Sequence, residues 1–384
     1  DIRMKFFHLS DLHIGLKLIN RDLREDQEYI FDQIVRLALQ ETPDAVVIAG
    51  DIYDKAVPAA EAVEVFDHFL SNLREAVPQA EIMMISGNHD SGPRVNCFRS
   101  LLSRQKVHMI GLPPQGPEEK MARVQLHDSY GTVNFYLLPF VRPSMVRQVV
   151  GTDEHGNNFS YDETVRRMVD REEVDTSQRN VLVSHQFYLP AGKRADEISR
   201  MDSEIRTVGN IDQVSADVLK DFDYAALGHI HKPMTAGREY LRYFGTPMAA
   251  SVSEAGQQKG VIMAELREKG DIRIQVLPLK PLRQIRVIRG NLEEVLAQGS
   301  ADFVSVVLEG KVQEDADLQE RIRRAFPYLL EVRREHETRA DYAAAERTGE
   351  EMDPFALCCA FLKDLDDEDR GLLKDVVEHV QEVR

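Results

Sequence analysis

The sequence contains no tryptophan and only three cysteines among its 384 residues. The cysteines are Cys97, Cys358 and Cys359, and an odd number with two adjacent members does not indicate a disulfide framework. A reducing cytoplasm is therefore the expected environment. No uncharged apolar run approaches the roughly 18 residues of a membrane span, and no secretory leader is recognisable. We expect residues 1–3, which precede Met4, to be a remnant of cloning.

The sequence also has fewer basic than acidic residues. The chain has 48 Lys and Arg against 65 Asp and Glu, which gives a formal net charge of −17. This balance argues against a simple nucleic-acid coat protein, which would be basic. The charge is uneven, because residues 341–384 hold 13 acidic and 5 basic side chains. A strongly acidic main body is therefore not implied.

The length and the periodicity of the chain predict its organisation. A chain of this size is expected to form two or three domains. Strand-like runs at 4–10, 44–51 and 81–90 alternate with amphipathic helical patterns at 24–41 and 59–76. Further strand-like runs follow at 132–140, 180–186, 224–231, 238–247, 260–267 and 272–279. This order predicts a layered α/β domain over residues 4–279, with two sheets face to face between helices and a more antiparallel second half.

Two further segments follow this domain. A proline between strand-like runs at 279–284 indicates a domain junction. Beyond it, a strand-helix-strand-helix-strand pattern predicts a compact α/β domain over residues 280–337. Residues 338–384 then combine a polar linker with two short helical patterns, the second of which has an apolar stripe opposite acidic residues.

Carboxylate, imidazole and amide side chains stand where the strand-like runs end. In GHIH and SDLH they occur as pairs two residues apart, and elsewhere as single groups after a glycine or serine. The residues concerned are Asp11, His13, Asp51, Asn88, His185, His229 and His231. Taken singly, each is more simply a helix cap, a turn residue or a surface histidine. Because the carboxyl ends of strands line up at one edge of such sheets, we expect all seven to converge on a metal site.

The ligand types indicate which metal chemistry is expected. Carboxylates, imidazoles and one amide oxygen, without a thiolate, favour Mn, Fe or similar ions over a structural zinc. Seven ligands are too many for one ion, but they divide evenly between two if one carboxylate bridges, and Asp51 is the natural bridge. Two ions about 3.5–4 Å apart can clamp the attacking and leaving oxygens of a phosphate displacement.

The motifs DLH, GDIYD, GNHD, SHQ and GHIH, in this order, resemble those of the calcineurin-like metallophosphoesterases. Residues 4–384 as a whole are similar to the Mre-type DNA nucleases, the family that includes the nuclease subunit of the bacterial SbcCD complex. The segments HLSDLHIG, YDKAVP, LPFVRP and YFGTP carry that closer likeness. The resemblance implies a four-layer α-β-β-α sandwich, a small α/β capping domain that directs DNA, and a helical C-terminal tail that binds the partner ATPase. The alternative for the tail is that it packs on its own domain.

The resemblance also implies a role for each residue of the site. One ion would be held by Asp11, His13 and His231. The other would be held by Asn88, His185 and His229. Asp51 would bridge two Mn²⁺ ions, for which Mg²⁺ or other divalent ions may substitute. His89 would approach the scissile phosphate, and Asp90 would orient its neighbours. Asp54 stands where Mre relatives carry a second helper histidine. Chains of the bacterial type also have an acidic residue at this position, so no imidazole role is expected there.

The implied activity is Mn-dependent 3′→5′ exonuclease action on duplex DNA ends, with endonuclease cleavage of hairpins and single strands. It would serve DNA repair, recombination and replication in the cytoplasm, at the nucleoid and away from membranes. The chain would form a homodimer within a heterotetramer with the ATPase SbcC. It contains no G-x-x-x-x-G-K-[ST] motif, so it should bind no ATP itself.

Basic residues near the motifs are the candidates for contacts with the DNA backbone. The principal candidates are Lys17, Arg21, Arg94 and Arg142, with Arg24, Arg99, Arg104, Lys193 and Arg194 as further ones. For any single residue, an ordinary solvated surface is the simpler interpretation. Two other functions also remain open from the residues alone: a phosphoesterase for small molecules or cyclic nucleotides, and a non-catalytic scaffold with a degenerate site.

Overall fold

The computed structural model of the chain describes residues 3–190, 192–193, 204, 212–310, 316–334 and 373. The chain divides into two units, Asp1–Arg334 and Glu335–Arg384. In the second unit only Leu373, which is helical, is described. The expected linker and tail over residues 338–384 therefore lie outside the described residues, except at that position. No helix in the described ranges is both long and apolar enough to cross a bilayer.

The strands and helices of the first unit are numbered in chain order. The strands are β1 Met4–Leu9, β2 Lys17–Leu18, β3 Arg21–Asp22, β4 Ala45–Ala49, β5 Glu81–Ile85, β6 Val107–Ile110, β7 Ala122–Asp128, β8 Gly131–Leu138, β9 Arg179–Ser184, β10 Phe187–Leu189, β11 Gln213–Ser215, β12 Tyr224–Leu227, β13 Met234–Thr235, β14 Leu241–Tyr243, β15 Lys259–Leu266, β16 Ile272–Leu279, β17 Ile285–Gly290, β18 Phe303–Leu308 and β19 Leu329–Arg334. The helices are α1 Arg24–Glu41, α2 Ala60–Ala76, α3 Gly92–Val95, α4 Arg99–Leu102, α5 Arg147–Val150, α6 Tyr161–Asp170, α7 Leu292–Leu296 and α8 Ala316–Ala325.

The first sheet has the strand order β16-β15-β1-β4-β5-β6. Strands β1, β4, β5 and β6 run parallel, while β15 and β16 are antiparallel to their neighbours. Every residue of β4 is buried, as is usual for a parallel strand covered on both faces. Helices α1 and α2 cover the outer face, where Ile34 and Phe69 join Ile48 in one hydrophobic core.

The second sheet has the strand order β13-β14-β12-β9-β8-β7. Its inner face packs on the first sheet, and the ring of Phe6 meets those of Phe135 and Tyr224 edge-on, each at 5.3 Å. Its outer face forms a third core, in which Val165 and Met168 of α6 join Leu182. The layers are therefore helix, sheet, sheet and helix, and the expected four-layer α-β-β-α sandwich is confirmed.

The expectation that the second half is more antiparallel is wrong for the centre of this sheet. Strands β8, β9, β12 and β14 run parallel to one another. The chain between β8 and β9, and between β9 and β12, is long enough for the crossovers that parallel pairing requires. Only the flanking pairs β7–β8 and β13–β14 are antiparallel in this sheet. Parallel pairing places the carboxyl ends of β9 and β12 side by side.

Residues 285–310 and 316–334 build a small three-stranded parallel sheet in the order β17-β18-β19, with α7 and α8. It has its own core, which includes Val306, Ile322 and Phe326. The strand-helix-strand-helix-strand order matches the predicted pattern. Contacts group this part with the rest of residues 1–334, so the boundary at residue 280 remains a proposal. Arg283 joins the two parts through ion pairs to Asp26 at 2.7 Å and Glu25 at 2.6 Å.

Candidate metal centre

The expected ligands all lie on loops that leave the carboxyl ends of β1, β4, β5, β9 and β12. Four of them have a left-handed backbone, with φ of 51° at Asp11, 43° at His13, 49° at Asp51 and 94° at His229. Residues other than glycine rarely adopt this backbone conformation, and each one that does lowers the free energy of unfolding by about 1 kcal/mol or more. The loops therefore turn sharply and return each side chain to the same sheet edge.

Backbone hydrogen bonds join the first two loops. The N–H of Asp11 donates to the carbonyl of Gly50 at 2.9 Å, and the N–H of His13 donates to the carbonyl of Asp51 at 3.0 Å. Buried Gln27 of α1 supports the first loop by donating to the carbonyl of His13 at 2.8 Å and accepting from the N–H of Gly15 at 3.1 Å. The helix thus holds the loop through a side chain that periodicity alone would assign to the core.

The carboxylate of Asp90 joins the second and third loops. It accepts from the N–H groups of Ile52 at 3.0 Å, Tyr53 at 2.9 Å and Gly87 at 2.8 Å. Burial and the nearby charge of Asp51 raise the pKa of Asp90 to about 6. Its oxygens are occupied by the backbone, which is the behaviour of a residue that orients its neighbours.

One group of polar atoms gathers around His13. Its Nε2 lies 3.0 Å from Nε2 of His231, 3.6 Å from Oδ2 of Asp51 and 3.9 Å from Oδ1 of Asp11. His231 Nε2 also lies 3.7 Å from Asp11 Oδ1. Asp11, His13 and His231 are buried, and their nearest ligand atoms lie within 4.8 Å of one another. This spacing allows one ion to contact all three.

A second group gathers around Oδ1 of Asn88. That oxygen lies 2.8 Å from Nδ1 of His229 and 3.1 Å from Nε2 of His185. His185 Nε2 is 3.3 Å from Asp51 Oδ2, so this carboxylate faces both groups. His185 Nδ1 is 2.6 Å from the carbonyl of Ala49, which can only accept a proton. In the neutral ring, Nδ1 therefore carries the proton and the lone pair of Nε2 faces the centre.

The pKa values of the buried carboxyl and imidazole groups are shifted by burial and by their mutual charges. Burial, with the charge of Asp51, raises the pKa of Asp11 to about 7 despite the opposing effect of His185. Burial opposes protonation of His185, but Asp51 outweighs it and raises its pKa to about 9. Burial likewise opposes protonation of His13, but three carboxylates raise its pKa to about 9.

The remaining two groups are shifted in the opposite sense. Burial opposes ionisation of Asp51, yet His185 and His13 hold its pKa well below its usual range. Burial, followed by the charge of His13, lowers the pKa of His231 well below its usual range. Protonated imidazoles therefore balance the buried carboxylates when no cation is bound, and the donor set fits divalent cations in their place.

His89 lies at the mouth of the centre rather than inside it. Its side chain is 15% exposed, and its Nε2 is 4.0 Å from Asp51 Oδ2. Its N–H donates to Asp51 Oδ1 at 2.9 Å, and its Nδ1 is 2.9 Å from the carbonyl of Asp54. Because a carbonyl can only accept, Nδ1 carries a proton, and Nε2 is the nitrogen that faces an incoming group.

Several residues around the centre were not identified from the sequence. The carboxylate of Asp212 lies 3.9 Å from Nε2 of His229, and Phe140 stacks on the same imidazole at 6.4 Å between ring centroids. Glu254 and Lys259 form a buried ion pair at 2.8 Å, and the ammonium of Lys259 donates to the carbonyl of His231 at 3.2 Å. Phe140 follows the end of β8 but is not a metal-ligand type, and the other three residues do not follow strands that end at the centre, so the pattern that found the expected ligands could not find them.

The candidate DNA-binding residues have different settings. Lys17 and Arg94 have exposed side chains. Arg21 is exposed but donates to the carbonyls of Pro327 and Leu329, which ties it to the small domain. Arg142 lies over the ring of Phe140 at 5.5 Å and is thereby connected to the centre.

The further basic candidates are placed as follows. Arg24 pairs with Glu28 at 3.0 Å, while Arg99, Arg104 and Lys193 are exposed. Arg194 lies outside the described residues.

The chain matches the family described as calcineurin-like phosphoesterase over residues 4–233. Two solved structures that resemble it are TT1561 of Thermus thermophilus and a dimetal phosphatase from Danio rerio. Each is 12% identical and covers 72% of this chain and 99% of its own, with TM-scores of 0.40 and 0.38 respectively. The chain belongs to the calcineurin-like phosphoesterases and is a metal-dependent phosphoesterase.

The comparisons also define the branch of this family. The SbcD subunit of the nuclease SbcCD from Staphylococcus saprophyticus is 30% identical over 304 residues, which cover 77% of this chain and 74% of that protein. Residues 281–364 match the SbcD C-terminal domain, described as the type 5 capsule protein repressor C-terminal domain. Within the phosphoesterases, the chain therefore belongs to the SbcD family.

Proposed function

We propose that this chain is a DNA nuclease that hydrolyses phosphodiester bonds at a centre for two divalent cations. The observation that carries the proposal is the position of Asp51, whose Oδ2 lies 3.6 Å from His13 Nε2 and 3.3 Å from His185 Nε2. One carboxylate oxygen facing both groups of ligands is the arrangement expected of a bridge. The name of the Staphylococcus relative, a nuclease, supports a nucleic-acid substrate.

Each group of side chains would hold one cation. Asp11, His13 and His231 would hold the first, and Asn88, His185 and His229 would hold the second, with Asp51 shared. When bound, the two cations supply positive charge beside the phosphate and an acidified water for its hydrolysis. We propose Mn²⁺ as the working ion, with Mg²⁺ and other divalent ions as substitutes, because the ligands are oxygen and nitrogen without thiolate.

His89 is the proposed catalytic residue. Because its Nδ1 donates to the carbonyl of Asp54, a second proton on the ring resides on Nε2. That nitrogen faces the mouth of the centre, where it can stabilise the charge on the phosphoryl oxygens or protonate the leaving 3′ oxygen. The backbone bond to Asp51 keeps His89 beside the proposed bridge.

The finer features of the activity belong to the same proposal. They are 3′→5′ exonuclease action on duplex ends and endonuclease action on hairpins and single strands, in repair, recombination and replication at the nucleoid. Lys17, Arg21, Arg94 and Arg142 would contact the phosphate backbone, and residues 280–337 would direct the duplex. Residues 338–384 would bind SbcC, with two nuclease chains in the assembly. The match of residues 281–364 to the SbcD C-terminal domain supports SbcC as the partner.

A hairpin oligonucleotide assay with Mn²⁺ tests the proposal. Wild type, Asp51→Ala and His89→Gln would be compared with and without SbcC, alongside nucleotide monoesters and cyclic nucleotides. We expect hairpin cleavage by the wild type and its loss in both variants. Rapid hydrolysis of the nucleotide esters with intact hairpin DNA would instead support a small-molecule phosphoesterase. Cleavage by His89→Gln at the wild-type rate would contradict the role of that residue.

A further inference from the structure

Asp54 lies at the edge of the centre, three residues after the proposed bridge Asp51. Its N–H donates to the carbonyl of Ile14 at 3.2 Å, which fixes its backbone against the first loop. Its side chain is 18% exposed, so the carboxylate stands between solvent and the buried ligands. The sequence alone assigns this residue no function.

The carboxylate of Asp54 faces the back of one ligand. Its Oδ1 lies 3.6 Å from Nδ1 of His13, within ion-pair distance and slightly beyond hydrogen-bond distance. That nitrogen is buried and has no hydrogen-bond partner within the described residues, while Nε2 of the same ring faces the centre. An imidazole ligand commonly directs its second nitrogen to a carboxylate, which fixes the tautomer and the ring plane. Among the described residues, the carboxylate of Asp54 is the one that forms an ion pair with Nδ1 of His13.

The carbonyl of Asp54 faces a second imidazole. It accepts from Nδ1 of His89 at 2.9 Å. The rings of His13 and His89 meet edge to face at 4.8 Å between centroids. One residue therefore contacts both the ligand and the proposed catalytic imidazole, the first through its side chain and the second through its backbone.

We propose that Asp54 is a positioning residue that orients His13 with its carboxylate and His89 with its backbone carbonyl. The inference rests on the proposed two-cation function and deepens it. The two contacts are separable, because substitution of the side chain removes the carboxylate and keeps the carbonyl. Loss of the carboxylate therefore weakens the cation held by His13, and the tautomer of His89 is retained.

Binding of Mn²⁺ to the metal-free full chain, followed by calorimetry, tests the side-chain contact. We expect Asp54→Ala to weaken one of two binding steps by about 10- to 100-fold. Asp54→Asn keeps an acceptor oxygen without the charge and is expected to lie between Asp54→Ala and the wild type. Glu61→Gln, an exposed acid nearby in the sequence, removes the same charge and should bind as the wild type does. Wild-type affinity in both Asp54 variants would overturn the contact, and Asp54→Asn decides the matter if Asp54→Ala does not fold.

Imidazole ¹⁵N shifts, measured with diamagnetic Mg²⁺, test the backbone contact. The His89 signals are assigned by their loss in His89→Gln. We expect a proton on Nδ1 of His89 in the wild type and in Asp54→Asn alike. A neutral His89 with its proton on Nε2 would overturn this part of the inference. If the wild-type chain binds no divalent cation, the proposed function itself is overturned. If the wild type binds and both Asp54 variants bind equally well, only the inference about Asp54 is overturned.

Discussion

The Nε2 atoms of His13 and His231 face each other at 3.0 Å in the buried centre. His13 extends from the loop after β1 and His231 from the loop after β12, so the contact joins the two sheets. Two neutral imidazoles can hold this distance only if one nitrogen donates a proton. A cation between them would satisfy both lone pairs and the neighbouring carboxylates as well.

Removal of one of these imidazoles should therefore reduce stabilisation by metal. Mn²⁺ at about 100 times its Kd should stabilise the wild type by about 2.7 kcal/mol, which raises Tm by several degrees. We expect a smaller rise in His231→Asn, because one ion loses a ligand. His127→Asn makes the same substitution at an exposed histidine and should keep the full rise. Equal shifts in all three proteins, measured by thermal unfolding with Mn²⁺ or with EDTA, would contradict this prediction.

Metal affinity should increase with pH. The pKa values of His13 and His185 are raised to about 9 and that of Asp11 to about 7 in the metal-free chain. A cation must displace these protons, so affinity is weakest at low pH and rises until the groups are deprotonated, between about pH 6 and 9. Each displaced proton contributes about tenfold per pH unit. Calorimetry in two buffers of different ionisation enthalpy counts the protons, and an affinity independent of pH would contradict this account.

The role of His89 as a proton donor should depend on the leaving group. Loss of a general acid typically costs about 10²- to 10⁴-fold when the leaving group is a poor one such as a 3′ alkoxide. His89→Gln should therefore slow hairpin cleavage strongly and slow a nitrophenyl ester of thymidine phosphate much less. Asp51→Ala should impair both substrates. Equal losses for His89→Gln on the two substrates would assign it to charge stabilisation alone.

The buried pair of Lys259 and Glu254 should be costly to break. The side chain of Lys259 is 5% exposed and that of Glu254 is fully buried, and the pair lies against the carbonyl of His231. Lys259→Met removes the only ammonium that the described ion pairs place at this buried carboxylate, and should lower the free energy of unfolding by about 3–5 kcal/mol.

A more exposed lysine and a double variant serve as controls for that prediction. Lys269, which pairs with Asp223 at 2.8 Å, is 39% exposed, so Lys269→Met should cost less, about 1 kcal/mol. Lys259→Met combined with Glu254→Gln should recover part of the loss. Denaturant unfolding of the metal-free proteins measures these differences, and equal effects of Lys259→Met and Lys269→Met would contradict the prediction.

The sequence predicted the convergence of the proposed ligands better than it predicted the second sheet. Each ligand follows a buried strand, and parallel strands bring such positions to one edge whatever the exact register, so Asp11 and Asn88 could be placed without coordinates. The direction of β12 relative to β9 depends on how a long crossover returns, which local periodicity does not encode. The order of strand and helix patterns therefore predicted the right layers but the wrong strand directions at the centre of the second sheet.

The residues that support the centre were hidden for a related reason. Gln27 sits on the buried face of α1, and Lys259 begins β15, which runs antiparallel to β1, so it stands at the start of a strand and not at its end. Their function arises from contacts between distant segments, and neither has a motif of its own. Asp54 was visible in the sequence as a departure from the Mre pattern, but its two contacts to imidazoles required the coordinates.

The most direct test of the central claim is electron paramagnetic resonance of the chain loaded with two equivalents of Mn²⁺. If Asp51 bridges two ions, the wild type gives the spectrum of a spin-coupled Mn²⁺ pair, and Asp51→Asn loses the coupling. A wild-type spectrum of isolated Mn²⁺ ions only, unchanged in Asp51→Asn, would contradict the account.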